Sequence, residues 1–147
     1  MTYQDLPTDW PSRPVTDPAI TPDLLDLVVR DADRVDGALY LLLCGKQGQL
    51  IEPMVFPEPL TRMSREQCGT VFAALEHLAL EEGLRGGILL AIAREKGPFI
   101  TDTDRAWHEA AIRSCRRSGL SLLGVWVVTR HVIRPLPALG DVSQASA

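Results

Sequence analysis

The 147-residue sequence predicts an α/β protein, an α+β sandwich built on a mixed five-stranded sheet flanked by helices. Its first indication is two uninterrupted apolar runs, residues 38–44 and 88–93, and a mainly apolar stretch over residues 120–129, which are typical of strands buried on both faces. The second is the pair of segments 64–83 and 101–118, which place apolar residues at the 3, 4, 7 spacing of one helical face. Strands and helices that alternate in this way favour a layered α/β fold.

The front of the chain is rich in proline. Residues 1–22 hold five of the eleven prolines, and each proline fixes φ and removes a backbone donor. We therefore expect residues 1–20 to form an extended arm, followed by a single domain over residues 21–137. Trp10 is the large apolar group of the arm, and we expect it either to pack on the domain or to contact a partner. Residues 138–147 are expected to form a flexible tail, because residues 140–147 are mostly small.

A helix and a hairpin of two strands are expected next. Thr21 can cap a helix, Pro22 suits its first position, and this helix is expected to end near Arg34, before a glycine. Residues 38–44 then form a buried strand, and a turn over residues 45–48 leads to a second strand over residues 49–55. Pro53 in that second strand predicts an edge position or an exit from the sheet.

The second half predicts two helices and three strands. Ser64 and Gln67 read as a capping box for a helix that ends at Gly83. After the strand over residues 88–93 comes a polar turn, and Thr101 or Thr103 caps the next helix. That helix buries a face and exposes another, and the buried face consists of Trp107, Ala110, Ala111, Ser114 and Cys115. A right-handed crossover makes the strand over residues 120–129 parallel to residues 88–93, and residues 132–136 add a short last strand.

Charge is unevenly distributed along the chain. Residues 1–36 hold eight Asp and three Arg, a balance of −5, whereas the rest has a balance of +1. Six Arg and one acid, Glu109, lie within residues 105–134, and such an excess can attract an anionic partner. The candidate interaction residues are Trp10, Arg105, Arg113 and Arg116. Nucleic-acid binding is not expected, because Glu109 offsets part of this charge and Trp107 faces inward.

Cysteine usage and hydropathy bear on the compartment. The sequence has an odd number of cysteines, Cys44, Cys68 and Cys115, and no two of them have C-x-x-C spacing. Neither disulfides nor a thiolate zinc site is therefore expected. Unpaired thiols suit a reducing compartment. The apolar runs are far shorter than the ~20 residues that span a bilayer. We expect a cytoplasmic protein with no membrane association.

Several catalytic signatures are missing. The sequence has neither G-x-G-x-x-G nor G-x-x-x-x-G-K-[ST], and no nucleophile elbow. His77, His108 and His131 lie on separate elements without metal-ligand spacing, and His77 and His108 are expected at the surface or its boundary. We expect no metal and no cofactor.

Polar residues gather where two parallel strands are expected to end. Ligands of open α/β sheets bind beyond the carboxyl ends of such strands, although solvated turns would give the same pattern. The candidate pocket residues are Arg94, Glu95, Lys96, Asp102, Asp104, Arg130 and His131.

The string from residue 38 to residue 135 resembles the JAB/MPN domain in the form found in RadC-like bacterial proteins. The resemblance lies in a strand hairpin over residues 39–55, a helix over residues 64–83, a core strand over residues 87–93 and a turn over residues 94–98. A second helix opens at Asp104-Arg105-Ala106-Trp107, and Ser118-Gly119-Leu120-Ser121-Leu122-Leu123 is similar to the passage into the last core strand. The resemblance implies the same scaffold here.

The metal ligands of that family are absent from this sequence. The family binds zinc through His-x-His after the core strand, where residues 93–98 here read AREKGP. Asp104 corresponds in position to a later acidic ligand, but the general-base glutamate has no counterpart. Cytidine deaminases share a similar element order, yet their H-x-E and P-C-x-x-C signatures are missing too. The resemblance therefore implies a pseudoenzyme.

Three functions are compatible with these observations. The leading hypothesis is a non-catalytic, metal-free JAB/MPN-like domain that acts as a protein-interaction or regulatory module. The alternative is a metal-independent enzyme or small-ligand-binding domain that uses the polar strand ends around Arg94 and His131. A third is a structural subunit that forms a homodimer through the edge strand over residues 49–55.

Overall fold

The computed structural model describes residues 3–57, 65–83, 85–95 and 99–137. Within these residues, five strands form one mixed sheet with the order β2-β1-β3-β4-β5, which confirms the predicted α/β class. The strands are β1 (Ala38–Cys44), β2 (Leu50–Pro57), β3 (Gly87–Ala93), β4 (Ser121–Val128) and β5 (Ile133–Pro135). The longer helices are α1 (Thr21–Val28), α2 (Asp31–Asp36), α3 (Arg65–Glu82) and α4 (Asp102–Ser118). The predicted cap at Ser64, residue Lys96 and the predicted tail lie outside the described residues.

Strand pairing follows the predicted crossover. β1 is antiparallel to both β2 and β3, whereas β3 and β4 are parallel, with Leu90 opposite Val125. β5 returns antiparallel to β4. Because β3 and β4 run in the same direction, the residues that follow both strands lie at one edge of the sheet.

Alternate residues of the central strands supply two separate cores. Leu39 and Leu41 of β1 face α3 and α4, where Phe72 and Trp107 meet edge to face with ring centroids 6.1 Å apart. Tyr40 and the other even-numbered residues of β1 face the N-terminal segment and α1. Successive side chains of a strand point to opposite faces of the sheet, and both faces are covered here, so every residue of β1 is buried.

The first 20 residues differ from the predicted extended arm. Tyr3–Asp5 and Trp10–Ser12 form short 3₁₀ helices, and Pro11 fits the second because the first turn of a helix needs no donor at that position. Val15 and Ile20 are buried in the second core, and half-buried Trp10 packs against it. The Val15 N–H donates to the Gly48 carbonyl over 2.9 Å. Most of this segment therefore covers one face of the sheet.

The single helix expected over residues 21–34 is two helices. Val29 and Arg30 adopt extended backbone between α1 and α2, and the Arg30 N–H donates to the Tyr40 hydroxyl over 3.2 Å. Asp33 accepts hydrogen bonds from that hydroxyl and from the Arg30 side chain. The hydrogen bond to Tyr40 of β1 thus stabilises the break between the two helices. The periodicity of apolar residues along a helix cannot predict such a contact with a later strand.

Capping also differs at the start of α1. The Thr21 side chain does not cap the helix; its hydroxyl donates to the Val15 and Asp17 carbonyls instead. At α4, by contrast, the prediction is confirmed, since Thr101 and Asp104 form a reciprocal capping box. Gly119 ends α4 with φ 79°, a left-handed conformation that favours glycine.

None of the helices in the described part of the chain is both long and apolar enough to cross a membrane.

Candidate ligand cleft

The candidate residues at the carboxyl edge of β3 and β4 fall into two groups. Arg94, Asp102 and Asp104 lie beside the start of α4. Arg130 and His131 instead lie in the turn between β4 and β5, against α2. The sequence grouped all of these residues into one pocket, whereas the structure assigns them to separate places.

Arg94 and Asp104 form a structural ion pair. The guanidinium Nη2 lies 2.9 Å from Asp104 Oδ2, and Nε donates to Oδ1 over 3.2 Å. Arg94 Nη2 also donates to the Phe99 carbonyl over 2.7 Å, and Asp104, whose side chain is 0% exposed, accepts the Thr101 N–H. Both charges therefore hold the loop before α4 in place, and neither is directed to a ligand.

The remaining charges of this group face solvent. Asp102 is fully exposed and accepts a hydrogen bond from Arg105 over 2.9 Å. Glu95 is exposed as well. Asp102 and Glu95 are therefore solvated, and Lys96 lies outside the described residues.

The turn after β4 is fixed by Thr129. Its hydroxyl accepts the Val132 N–H over 3.0 Å and the His131 N–H over 3.3 Å, and its own N–H donates to the Val132 carbonyl over 2.8 Å. Thr129 is buried, so these bonds replace hydration of its polar atoms. The turn presents Arg130 and His131 to solvent on a backbone of defined shape.

A cleft of about 500 Å³ opens between this turn and α2. Its lining consists of Asp31, Ala32, Val35, Arg130 and His131. The side chains of Asp31, Arg130 and His131 make no hydrogen bond or ion pair with any residue in the described ranges. Charges of both signs are therefore free to bind a ligand here.

A neighbouring cleft of about 360 Å³ shares Arg130 and His131 but is lined by charges that already interact. Arg34 Nη2 donates to the Asp26 carboxylate over 3.2 Å and to the Val29 carbonyl over 3.0 Å. The Arg34 side chain is buried, and its Nε has no partner in the described part of the chain. Arg34 thus joins α2 to the end of α1.

The site residues predicted from the sequence did not include Asp31, Ala32 and Val35 of the cleft, nor Arg34 of the neighbouring cleft. These four residues take their positions because α2 turns away from α1 at Arg30, whereas the single predicted helix placed them on a continuous surface. A usable signal was the pair Asp31 and Asp33 directly after Arg30, because acidic residues favour the first turn of a new helix.

The reactive side chains outside the cleft differ in burial. Burial raises the pKa of the Cys44 and Cys115 thiols to about 11, which disfavours the nucleophilic thiolate. His77 is exposed as expected, but His108 is buried, so its predicted surface or boundary position is wrong. Burial lowers the pKa of His108, and the nearby charge of Glu109 offsets part of that effect.

The candidate interaction residues differ in exposure. Trp10 is half-buried against the second core. Arg113 and Arg116 on α4 are exposed and have no ion-pair partner among the described residues, whereas Arg117 pairs with Glu76 over 2.9 Å. These two arginines remain available for a contact.

The described ranges contain no group of three His, Cys, Asp or Glu side chains that could hold a metal ion. In comparisons with known proteins, no family model matches the chain and no curated protein matches it.

Proposed function

We propose that this chain is a non-catalytic binding domain whose ligand occupies the cleft between α2 and the turn after β4. The carrying observation is that Asp31, Arg130 and His131 line one cleft while their polar side-chain groups remain unpaired within the described residues. The cleft also lies beyond the carboxyl end of β4, which is where open α/β sheets bind ligands.

Other polar groups that could take part in catalysis already interact within the protein or are buried, which supports a binding role over a catalytic one. Arg94 and Asp104, which a metal-independent enzyme would have used, pair with each other and cap α4. Cys44 and Cys115 are buried thiols of raised pKa. The proposal retains the metal-free JAB/MPN-like scaffold and the cytoplasmic location that the sequence suggested.

A ligand screen followed by amide chemical shifts tests this proposal on the full chain. Compounds from a charged-fragment library are expected to shift the amide signals of residues 31–35 and 129–133 in a saturable manner. Arg130→Gln should abolish these shifts, while the exposed control Arg113→Gln should retain them. A library that yields no saturable shift in either segment, or shifts that survive Arg130→Gln, would contradict the proposal.

A second candidate is a protein-interaction surface on α4. Arg113 and Arg116 are exposed and unpaired in the described part of the chain, so an acidic segment of a partner protein fits them. Fluorescence anisotropy with a labelled poly-glutamate peptide tests this role. Arg113→Gln with Arg116→Gln should remove binding and Arg130→Gln should not; equal loss from both variants would indicate attraction by net charge alone.

A further inference from the structure

The walls of the cleft differ in chemistry. The turn after β4 contributes the cationic Arg130 and the imidazole of His131, whereas α2 contributes the carboxylate of Asp31 and the apolar side chains of Ala32 and Val35. From this arrangement, and resting on the proposed function, we propose that the ligand is a zwitterion with an apolar group: an apolar α-amino acid, free or within a dipeptide.

The unpaired charges of both signs support this ligand class. Other opposite charges in the described part of the chain do pair, as Arg34 does with Asp26 and Arg94 does with Asp104. Asp31 and Arg130 line the same cleft without such a contact. A carboxylate is therefore matched by Arg130 and His131, and an ammonium group by Asp31.

Ligands with one charge fit the cleft less well. A phosphate or a simple carboxylate would bind Arg130 but bring a second negative charge near Asp31, and like charges repel. An amine would bind Asp31 but leave its positive charge beside Arg130. A zwitterion satisfies both walls at once.

The apolar side chains supply the third part of the match. Val35 is 45% exposed although it is a large apolar residue, and Ala32 lies one helical turn before it on the same face of α2. An apolar ligand side chain would cover this surface. A volume of about 500 Å³ falls within the range of small-molecule pockets and leaves room for one or two amino-acid residues.

Titration calorimetry of the full chain with leucine and its fragments tests the inference. The probes are L-leucine, 4-methylpentanoate, which lacks the ammonium group, 3-methylbutylamine, which lacks the carboxylate, and leucyl-leucine. We expect leucine or the dipeptide to bind, and each single-charge probe to bind about tenfold more weakly or worse. Tighter binding of the dipeptide identifies a short peptide as the source, and tighter binding of leucine identifies the free amino acid.

Matched variants assign the two charges. Asp31→Asn and Arg130→Gln should each weaken binding of the preferred zwitterion about tenfold or more, while Asp36→Asn, an exposed change on the same helix, should not. Unchanged thermal unfolding confirms that the variants fold.

Two results would overturn the inference in distinguishable ways. If 4-methylpentanoate binds as tightly as leucine and Asp31→Asn has no effect, the zwitterion inference fails but the cleft remains a binding site. If no probe binds and the fragment library leaves residues 31–35 and 129–133 unshifted, the proposed function fails as well.

Discussion

Asp102 and Asp104 lie in the same turn of α4 but have different environments. Asp104 is buried, pairs with Arg94 and caps the helix, whereas Asp102 is fully exposed. Asp104→Ala leaves the Arg94 charge without its partner and removes a cap, so we expect a loss of about 3 kcal/mol in the free energy of unfolding. Urea denaturation measures it. Asp102→Ala is the matched control and should change stability little; equal losses from both would contradict the assigned role of Asp104.

The buried thiols give a prediction about reactivity. In a Cys68→Ser background, Cys44 and Cys115 should react slowly with a thiol reagent at mildly alkaline pH, because burial blocks access and raises their pKa to about 11. Unfolding in urea should bring both to the rate of a free cysteine. Fast labelling of the folded protein would show that one of these side chains reaches solvent.

His108 predicts a specific dependence of stability on pH. Burial lowers its pKa in the folded state, so the unfolded chain takes up a proton near pH 6.5 that the folded chain resists. The free energy of unfolding should therefore fall as pH drops below about 6.5, and level off below the folded pKa. Urea titrations between about pH 5 and about pH 8 measure this.

Two variants assign that pH dependence. His108→Gln should flatten the decline between the two pKa values, whereas His77→Gln, at an exposed position on α3, should leave it unchanged. A decline that persists in full without His108 would place its origin elsewhere.

Two of the five residues that line the candidate cleft could be predicted from the sequence. Arg130 and His131 were found because they directly follow a recognisable buried strand. Asp31 and Val35 were not found, because their position depends on the hydrogen bond between the Arg30 N–H and Tyr40, which belongs to the next element. Whether Arg94 and Asp104 bind a ligand or each other depends on the distance between their side chains in the fold. Their separation along the sequence does not give that distance.

At the scale of elements, the buried strands were the most predictable features. An apolar run of seven residues bounded by glycine or charge leaves few alternatives, and β1 and β3 are buried throughout. The N-terminal segment was harder, since proline excludes regular helix but does not specify burial. Val15 and Ile20 are isolated apolar residues among prolines, so no periodicity marks them as core.

The entry to β3 requires glycine for a steric reason. A Cβ on Gly86 would lie 1.8 Å from the Cys44 carbonyl oxygen, a backbone atom that cannot move aside. Gly119 has open space around it but a left-handed φ of 79°. We expect Gly119→Ala to lower the free energy of unfolding by about 1 kcal/mol. We expect Gly86→Ala to lower the free energy of unfolding by about 3 kcal/mol, because the added methyl group would push β1 away from β3. Urea denaturation of both variants measures the difference, and equal losses would contradict the steric account.

The edge strand β2 is poorly suited to pairing with a second copy. Pro53 and Pro57 lie at even spacing along β2, and proline is accepted in a sheet where its missing donor would face outward. The free edge therefore lacks hydrogen-bond donors at two positions of the same orientation. This arrangement argues against a homodimer formed by extension of the sheet at β2.

For the whole molecule, the N-terminal segment is part of the core. Ile20→Ala should lower the free energy of unfolding by about 3 kcal/mol, because the side chain is fully buried in the second core. Leu27→Ala on α1 is the control, since Leu27 is 43% exposed, and it should cost much less. Thermal or urea unfolding measures both. A negligible effect of Ile20→Ala would restore the interpretation of residues 1–20 as a detachable arm.

The second core joins residues made early in synthesis to residues made late. Val15, Ile20 and Leu24 pack with Leu89 and Val128, which leave the ribosome long after them. The even-numbered residues of β1 give these early apolar residues a first surface soon after synthesis, but Leu89 and Val128 can join only once β3 and β4 have emerged. This face of the sheet is therefore completed late in translation.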